Sequence, residues 1–254
     1  MIMTWIGFLT LLVIGGVFLM WQSNASPNDI SLPVILIAYS PAVAAIAAVL
    51  ISQGWTGVKQ LLLPIVRWKA SWLCYGVAVL LPFVIVGLAH LVNRATGAET
   101  NAPWIDGSIV VAGIGAIIAG CFGEEIGWRG LAQRLLQKRY AVFWASIIVG
   151  LLWATWHNWT LLAPHGMEGQ WLTDALLTYA RLIPTAVIYG WLFTVSKGSL
   201  FVVMLAHAAH NVAVDLFATS DGSLLLTALI AGGYLIAGSI VAVAARRTLF
   251  REVL

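Results

Sequence analysis

The feature that most constrains this chain is its division into eight apolar stretches. They fall at about 4–21, 32–52, 71–92, 107–131, 141–162, 174–195, 199–218 and 224–245, each close to the roughly 20 residues that a helix needs to cross a bilayer. Polar breaks separate them: Asn24-Ala25-Ser26-Pro27-Asn28-Asp29 after the first, Asn93 to Asp106 after the third, and tight turns at Gly198-Ser199 and Ser220-Asp221-Gly222-Ser223. None of the gaps has room for a soluble domain, and no repeat or low-complexity tract is visible. Hydrophobic residues make up 61% of the 254 residues and charged ones 9%, against about 25% charged in a soluble domain. A soluble fold of this size has too little interior for that apolar surface. The composition therefore specifies an integral membrane protein, and it excludes a cytosolic enzyme, a disordered regulator and a nucleic-acid binder. The expected fold is all-α: a polytopic membrane helix bundle of about eight transmembrane helices, forming a single integral membrane domain over 1–254. Cys74 and Cys121 both sit in apolar runs, which gives neither a disulfide framework nor a CxxC zinc site.

The first stretch lacks Lys or Arg ahead of its apolar run and is followed by a poor small-residue cleavage site, so it is expected to be a retained helix rather than a signal peptide. Orientation follows from alternate loops, because cytoplasmic loops are the basic ones. One side receives Lys59, Arg67, Lys69, Arg134, Lys138, Arg139, Lys197, Arg246, Arg247 and Arg251. The other receives only Arg94, and collects Asp29, Glu99, Asp106, Glu168, Asp174 and Asp221. Both termini are accordingly expected on the cytoplasmic side. The +3 net charge is then a consequence of topology rather than the mark of an acidic partner.

A handful of polar residues remains that no loop accounts for: Glu124, Glu125, Arg129, His157, Arg181, His207, His210, Asn211 and Asp215. An ionisable residue at mid-membrane costs at least ~2.5–3.5 kcal/mol on insertion scales, so each is a functional candidate by default. The plainer role for any one of them is to lock helices together through hydrogen bonds. Most fall into three clusters: Glu124-Glu125-Ile126-Gly127-Trp128-Arg129-Gly130, Trp153-Ala154-Thr155-Trp156-His157 and His207-Ala208-Ala209-His210-Asn211. Glu125 and Arg129 are four apart in the favourable acid-first order. Glu124 points about 100° away from Glu125 and is left without that partner. His207 and Asn211 share a face and present an imidazole beside a carboxamide. Glu124 lies ~15 Å and His157 ~24 Å along their helices from the basic side at 1.5 Å per residue, depths compatible with one common site. Gly120, Gly123, Gly127 and Gly130 form a small-residue stripe that admits a close helix neighbour. His90 and His165 fall near the outer interface and are read as solvated.

These clusters resemble the E-E-x-x-x-R, F-x-x-x-H and H-x-x-x-N motifs of the CAAX-protease and bacteriocin-processing family of intramembrane proteases, whose members include CAAX prenyl protease type 2. The motif-bearing core is about 107–218, under half the chain. Trp153 stands where the family usually carries phenylalanine, and is read as a packing aromatic. The resemblance implies peptide-bond hydrolysis within the membrane, with Glu124 and His157 activating a water and His207 and Asn211 holding the oxyanion. Glu125 and Arg129 would then support the site, and no metal or other cofactor would be needed. The implied partners are a membrane-associated peptide or protein substrate and the lipid bilayer, and the compact loops point to a prokaryotic plasma membrane. The residue types agree: a base held near working pH and two donors for a tetrahedral oxygen.

Other readings stay open at this point. His157, His207, His210 and Glu124 supply enough nitrogen and oxygen ligands for a zinc ion with an open position, though no HExxH is present. A proton-coupled transporter also uses intramembrane acids and histidines, and a non-catalytic scaffold or immunity role needs no chemistry. One further expectation comes from positions alone. Arg181 is ~10 Å and Asp215 ~7–8 Å below the outer surface on consecutive spans, so an Arg181–Asp215 ion pair is expected to close the outer end of the site.

Overall fold

The computed structural model describes residues 1–27, 31–97, 117–217 and 223–251. Regular structure among them is helical throughout. The long helices are α1 (Ile2–Ser23), α2 (Leu32–Leu62), α3 (Trp72–Ala95), α4 (117–136), α5 (Val142–His157), α6 (Trp171–Val195), α7 (Leu200–Leu216) and α8 (Leu224–Ala244). They follow the eight apolar stretches, except that the first ten residues of the fourth stretch, 107–116, lie outside the described residues. The fifth stretch ends its regular helix at His157, with a separate short turn over Trp159–Leu162. Five of the helices (α1, α2, α3, α6 and α8) are long and apolar enough to cross a membrane. Only 17% of the most apolar window of α1 is buried, and Trp72 is 88% exposed. Outward-facing apolar surface on that scale belongs in lipid, and the protein is a polytopic helical membrane bundle.

Serines start three of these helices: the Ser71, Ser199 and Ser223 hydroxyls accept from the backbone N–H groups of Leu73, Val202 and Leu226, which satisfies donors that the first helical turn leaves orphaned. The α6–α7 turn places Lys197 (φ 58) and Gly198 (φ 77) in left-handed conformations. Gly54, with φ 64 and ψ −165, breaks α2 just beyond the expected end of the second span.

Contacts between loops sort them onto two ends. At one end Arg134 Nη1 donates to the Gln60 carbonyl at 3.3 Å, Ser199 Oγ donates to the Arg67 carbonyl, and Phe143 stacks on Phe250 at 4.6 Å. At the other, Trp21 Nε1 donates to the Leu162 carbonyl at 2.8 Å and Ser223 Oγ to Asn93 Oδ1 at 3.0 Å. The first set links the basic loops to one another, the arrangement that the alternate-loop charge pattern requires.

The glycine stripe of α4 does what its spacing suggests. A Cβ on Gly123 would lie 2.5 Å from the Ala38 carbonyl oxygen, and one on Gly127 2.5 Å from that of Pro41. α2 therefore rests backbone to backbone against α4. Pro41 has no N–H, so the Ile37 carbonyl loses its helical donor; the Ser40 hydroxyl donates to it instead at 2.6 Å. Two indoles then anchor on the same turn, with Trp5 Nε1 donating to the Pro41 carbonyl and Trp156 Nε1 to Ser40 Oγ, both at 3.1 Å. α1, α2 and α5 are thus pinned around α4. Gly150 and Gly238 bring α5 and α8 equally close to α6, at Ile183 and Pro184.

Overpacking at these contacts costs at least about 1–3 kcal/mol. Gly127→Leu should therefore sharply lower the melting temperature and folded yield in detergent. Gly232→Ala, where a Cβ meets nothing within 4 Å, should leave both unchanged. Equal tolerance of the two substitutions would contradict the close α2–α4 contact.

Candidate functional site

α4 is not a uniform α-helix. Its turns over Ile117–Phe122 and Ile126–Gln133 are π-helical, and Glu124 and Glu125 occupy the short α-helical step between them, Gly123–Glu125. π-helical turns are rare and concentrate at functional sites. Glu125 and Arg129 are fully buried. Arg129 Nη1 donates to Glu125 Oε1 at 3.0 Å, as the i, i+4 spacing suggests, and His207 Nδ1 from α7 donates to that same oxygen at 2.8 Å. The guanidinium is sandwiched by rings as well: its central carbon lies 4.3 Å from the Trp153 ring centroid and 4.9 Å from that of Tyr189. Glu125 is therefore an organising acceptor that joins α4 to α7.

Glu124, 7% exposed, turns the other way. Its Oε2 accepts from Trp153 Nε1 of α5 at 2.5 Å. One turn on, His157 Nδ1 lies 3.0 Å from the Trp153 carbonyl. A carbonyl only accepts, so Nδ1 carries the proton and the neutral ring keeps a bare Nε2 able to take one. The His157 and His207 rings meet the Trp153 ring edge-on, with centroids at 5.8 and 5.5 Å. Because its Nδ1 is committed to Glu125, His207 leaves Nε2 pointing away. A Cβ built on Gly120 would lie 3.6 Å from that Nε2 and 2.7 Å from Asn211 Nδ2. Gly120 thus opens the space where the imidazole and the carboxamide converge. Glu124, His157, His207 and Asn211 gather around Trp153 and Gly120.

Three readings of the sequence need correction. Trp153 is more than packing: its indole N–H holds Glu124, a bond phenylalanine has no group to make. The expected Arg181–Asp215 ion pair is absent from the ion pairs of the described residues. Arg181 Nη1 instead donates to His210 Nε2 at 3.2 Å, and His210 Nδ1 meets the Tyr234 hydroxyl at 2.8 Å. The guanidinium only donates, so Nε2 accepts and Nδ1–H donates to Tyr234. Asp215 is five residues past His210 on α7 and so about 140° around the helix, on an exposed face; matching depth did not imply matching direction. His90, read as solvated, is 6% exposed and packs on Phe217 at 5.3 Å, whereas His165 is exposed and pairs with Glu168 at 2.7 Å. Tyr189 and Tyr234 are site neighbours that carried no sequence signal beyond being polar aromatics within spans.

A resident metal needs converging donors. Among the described residues no three His, Cys, Asp or Glu side chains are grouped to hold one. Both nitrogens of His210 are engaged by Arg181 and Tyr234, and Nδ1 of His157 and of His207 is held by an acceptor.

Fold and site together define a helical membrane protein with paired glutamates, two histidines and an asparagine enclosed between spans. Residues 106–213 match the family described as Type II CAAX prenyl endopeptidase Rce1-like, and the three motifs stand in order inside that segment. Over 123 residues the chain is 28% identical to a CAAX prenyl protease 2 of Methanococcus maripaludis, covering 46% of this chain and 44% of that protein. Over 166 residues it is 28% identical to a lysostaphin resistance protein A of Staphylococcus haemolyticus, covering 61% and 41%. The chain thus matches less than half the length of either relative.

Removing one partner of a buried ion pair typically costs about 3–5 kcal/mol. Glu125→Gln should accordingly destabilise the bundle, since Arg129 and His207 both lose their charged acceptor; an unchanged melting temperature would contradict the organising role. In double-mutant cycles of thermal stability, Arg181→Met with His210→Leu should show coupling of about 1.5 kcal/mol or more, as for a hydrogen bond to a charged group. Arg181→Met with Asp215→Leu should show coupling near zero.

Proposed function

We propose that this chain is an intramembrane endopeptidase that hydrolyses a peptide bond of a membrane-associated substrate with a glutamate-activated water. The observation that carries this reading is the division of labour between adjacent carboxylates. Glu125 has its charge paired with Arg129 and accepts from His207 on the same oxygen, while Glu124 is paired with no cation among the described residues and keeps Oε1 beyond its bond to Trp153. A water between Glu124 Oε1 and His157 Nε2 loses a proton to Glu124 as its oxygen bonds to the scissile carbonyl carbon. The carbonyl oxygen becomes an oxyanion that accepts from Asn211 Nδ2 and His207 Nε2. His207 already donates from Nδ1 to Glu125, so its acting form is the imidazolium, its charge balanced by that buried carboxylate. The C–N bond then breaks as Glu124 returns the proton to the leaving amine, giving a carboxylic acid and an amine. The base contributes on the order of 10²–10⁴ in rate and each oxyanion donor roughly 2.7–4 kcal/mol.

The enclosure supports a hydrophobic substrate. A cavity of about 530 Å³ between α1 and α5, bordered by Leu9, Val13, Trp128, Trp156 and Trp159, lies next to His157, whose ring is 4.8 Å from Trp156. On this reading an apolar chain would enter from lipid along this cavity, whose wall at Trp156 borders His157. One relative is named a CAAX prenyl protease; a prenylated or otherwise lipid-embedded peptide is the substrate class that this groove favours. On this reading the basic end of the bundle and both termini face the cytoplasm of a prokaryotic cell, and no resident metal takes part.

Glu124→Gln keeps the volume and removes the base. It should lower cleavage by at least about 100-fold while melting temperature and yield stay at wild-type values; retained cleavage would overturn the assignment of the base. Purified protein should remain active after chelation. Stoichiometric zinc that disappears in His157→Ala would replace the water mechanism proposed here by a metal-dependent one.

A further inference from the structure

We infer that Trp153 is a positioning residue that sets both halves of the proton-transfer pair, one of them through an indole N–H for which phenylalanine has no counterpart. The inference rests on the reading of Glu124 and His157 as the groups that activate water. Trp153 is 2% exposed, and three of its parts act on three different neighbours. Its Nε1–H donates to Glu124 Oε2 at 2.5 Å. A carboxylate on a two-methylene tether is otherwise free to exchange its oxygens; this bond commits Oε2 and leaves Oε1 as the basic atom. Its carbonyl takes the His157 Nδ1–H at 3.0 Å, so the accepting nitrogen of that ring is Nε2. Its ring face lies 4.3 Å from the Arg129 guanidinium.

The last contact connects the two glutamates by a route that does not follow the backbone. Glu125 fixes Arg129, Arg129 fixes the plane of the indole, and the indole N–H fixes Glu124. The ring edges that meet His157 and His207 at 5.8 and 5.5 Å hold both imidazoles against the same plate. An indole N–H has no ionisation in the accessible pH range and accepts nothing, so it presents a donor to Glu124 whatever the protonation state of the site. A phenyl ring keeps the stacking on Arg129 and drops only the donor. Orientation of a reacting group to within a fraction of an ångström is worth orders of magnitude in rate, so the loss should appear in turnover rather than in substrate binding.

The test compares Trp153→Phe, and Trp153 replaced by benzothienylalanine, with the wild type in nanodiscs on one cleavable peptide. Benzothienylalanine has the bicyclic shape of tryptophan with sulfur in place of the N–H. Both replacements should lower kcat by about 10- to 100-fold with KM unchanged, and benzothienylalanine, which keeps the shape, should lose less melting temperature than Trp153→Phe. Wild-type kcat in the benzothienylalanine protein would overturn the inference, as would a kcat loss confined to Trp153→Phe, which marks a packing role. An activity-independent readout is the indole ¹⁵N–¹H resonance of Trp153, assigned by its disappearance in Trp153→Phe. It should move upfield in Glu124→Gln as the acceptor loses its charge, and an unmoved resonance would overturn the hydrogen bond itself. Cleavage that survives Glu124→Gln is a different result: it overturns the base assignment on which the inference stands.

Discussion

One oxygen, Glu125 Oε1, holds the site together. It accepts from Arg129 at 3.0 Å and from His207 at 2.8 Å, deep in a bundle where bare charges are expensive. A buried ion pair is weak evidence for stability as such, because desolvation offsets most of the Coulombic gain. Its effect here is specificity. The carboxylate ties a side chain of its own helix to one 82 residues away in sequence, and it fixes which nitrogen of His207 faces the reaction space. Arg129, clamped between carboxylate and aromatic rings, orients Trp153, and Trp153 orients Glu124 and His157. Glu124, His157 and His207 are therefore each aimed by a neighbour that would not touch substrate.

The membrane bundle makes this arrangement possible through small residues. Gly123 and Gly127 let α2 approach the backbone of α4, and Gly120 leaves space where His207 and Asn211 converge. The π-helical turns flanking the two glutamates belong to the same short stretch. Pro41 adds the complementary device on α2: the backbone turn it disturbs is where Ser40 and the indoles of Trp5 and Trp156 find partners. Polar backbone is thus satisfied by side chains beside the site, as an apolar solvent demands.

Much of this was legible in the sequence, for identifiable reasons. The helices follow from length and hydropathy, because lipid leaves a chain few alternatives. Glu125–Arg129 follows from helical spacing, because both partners lie on one element. The His207–Asn211 pair followed likewise, and the glycine stripe announced a close neighbour without naming α2. What escaped depends on rotation between helices, which no local spacing records. The Glu125–His207 bond and the Trp153–Glu124 bond each join different spans. Tryptophan is abundant in this chain, 13 in all, so an indole with a polar task looked like one more interfacial or packing ring. Arg181 and Asp215 matched in depth but not in direction, and His210 proved to be the partner facing the guanidinium.

The measurement that bears most directly on the account is a structure of this protein with a peptide phosphinate bound as a tetrahedral mimic. One phosphinyl oxygen should lie within hydrogen-bond distance of both His207 Nε2 and Asn211 Nδ2. The other should lie between Glu124 Oε1 and His157 Nε2, with Trp153 Nε1 still on Glu124 Oε2. Phosphinyl oxygens bound to a metal ion, or drawn away to Arg181 and His210, would contradict it.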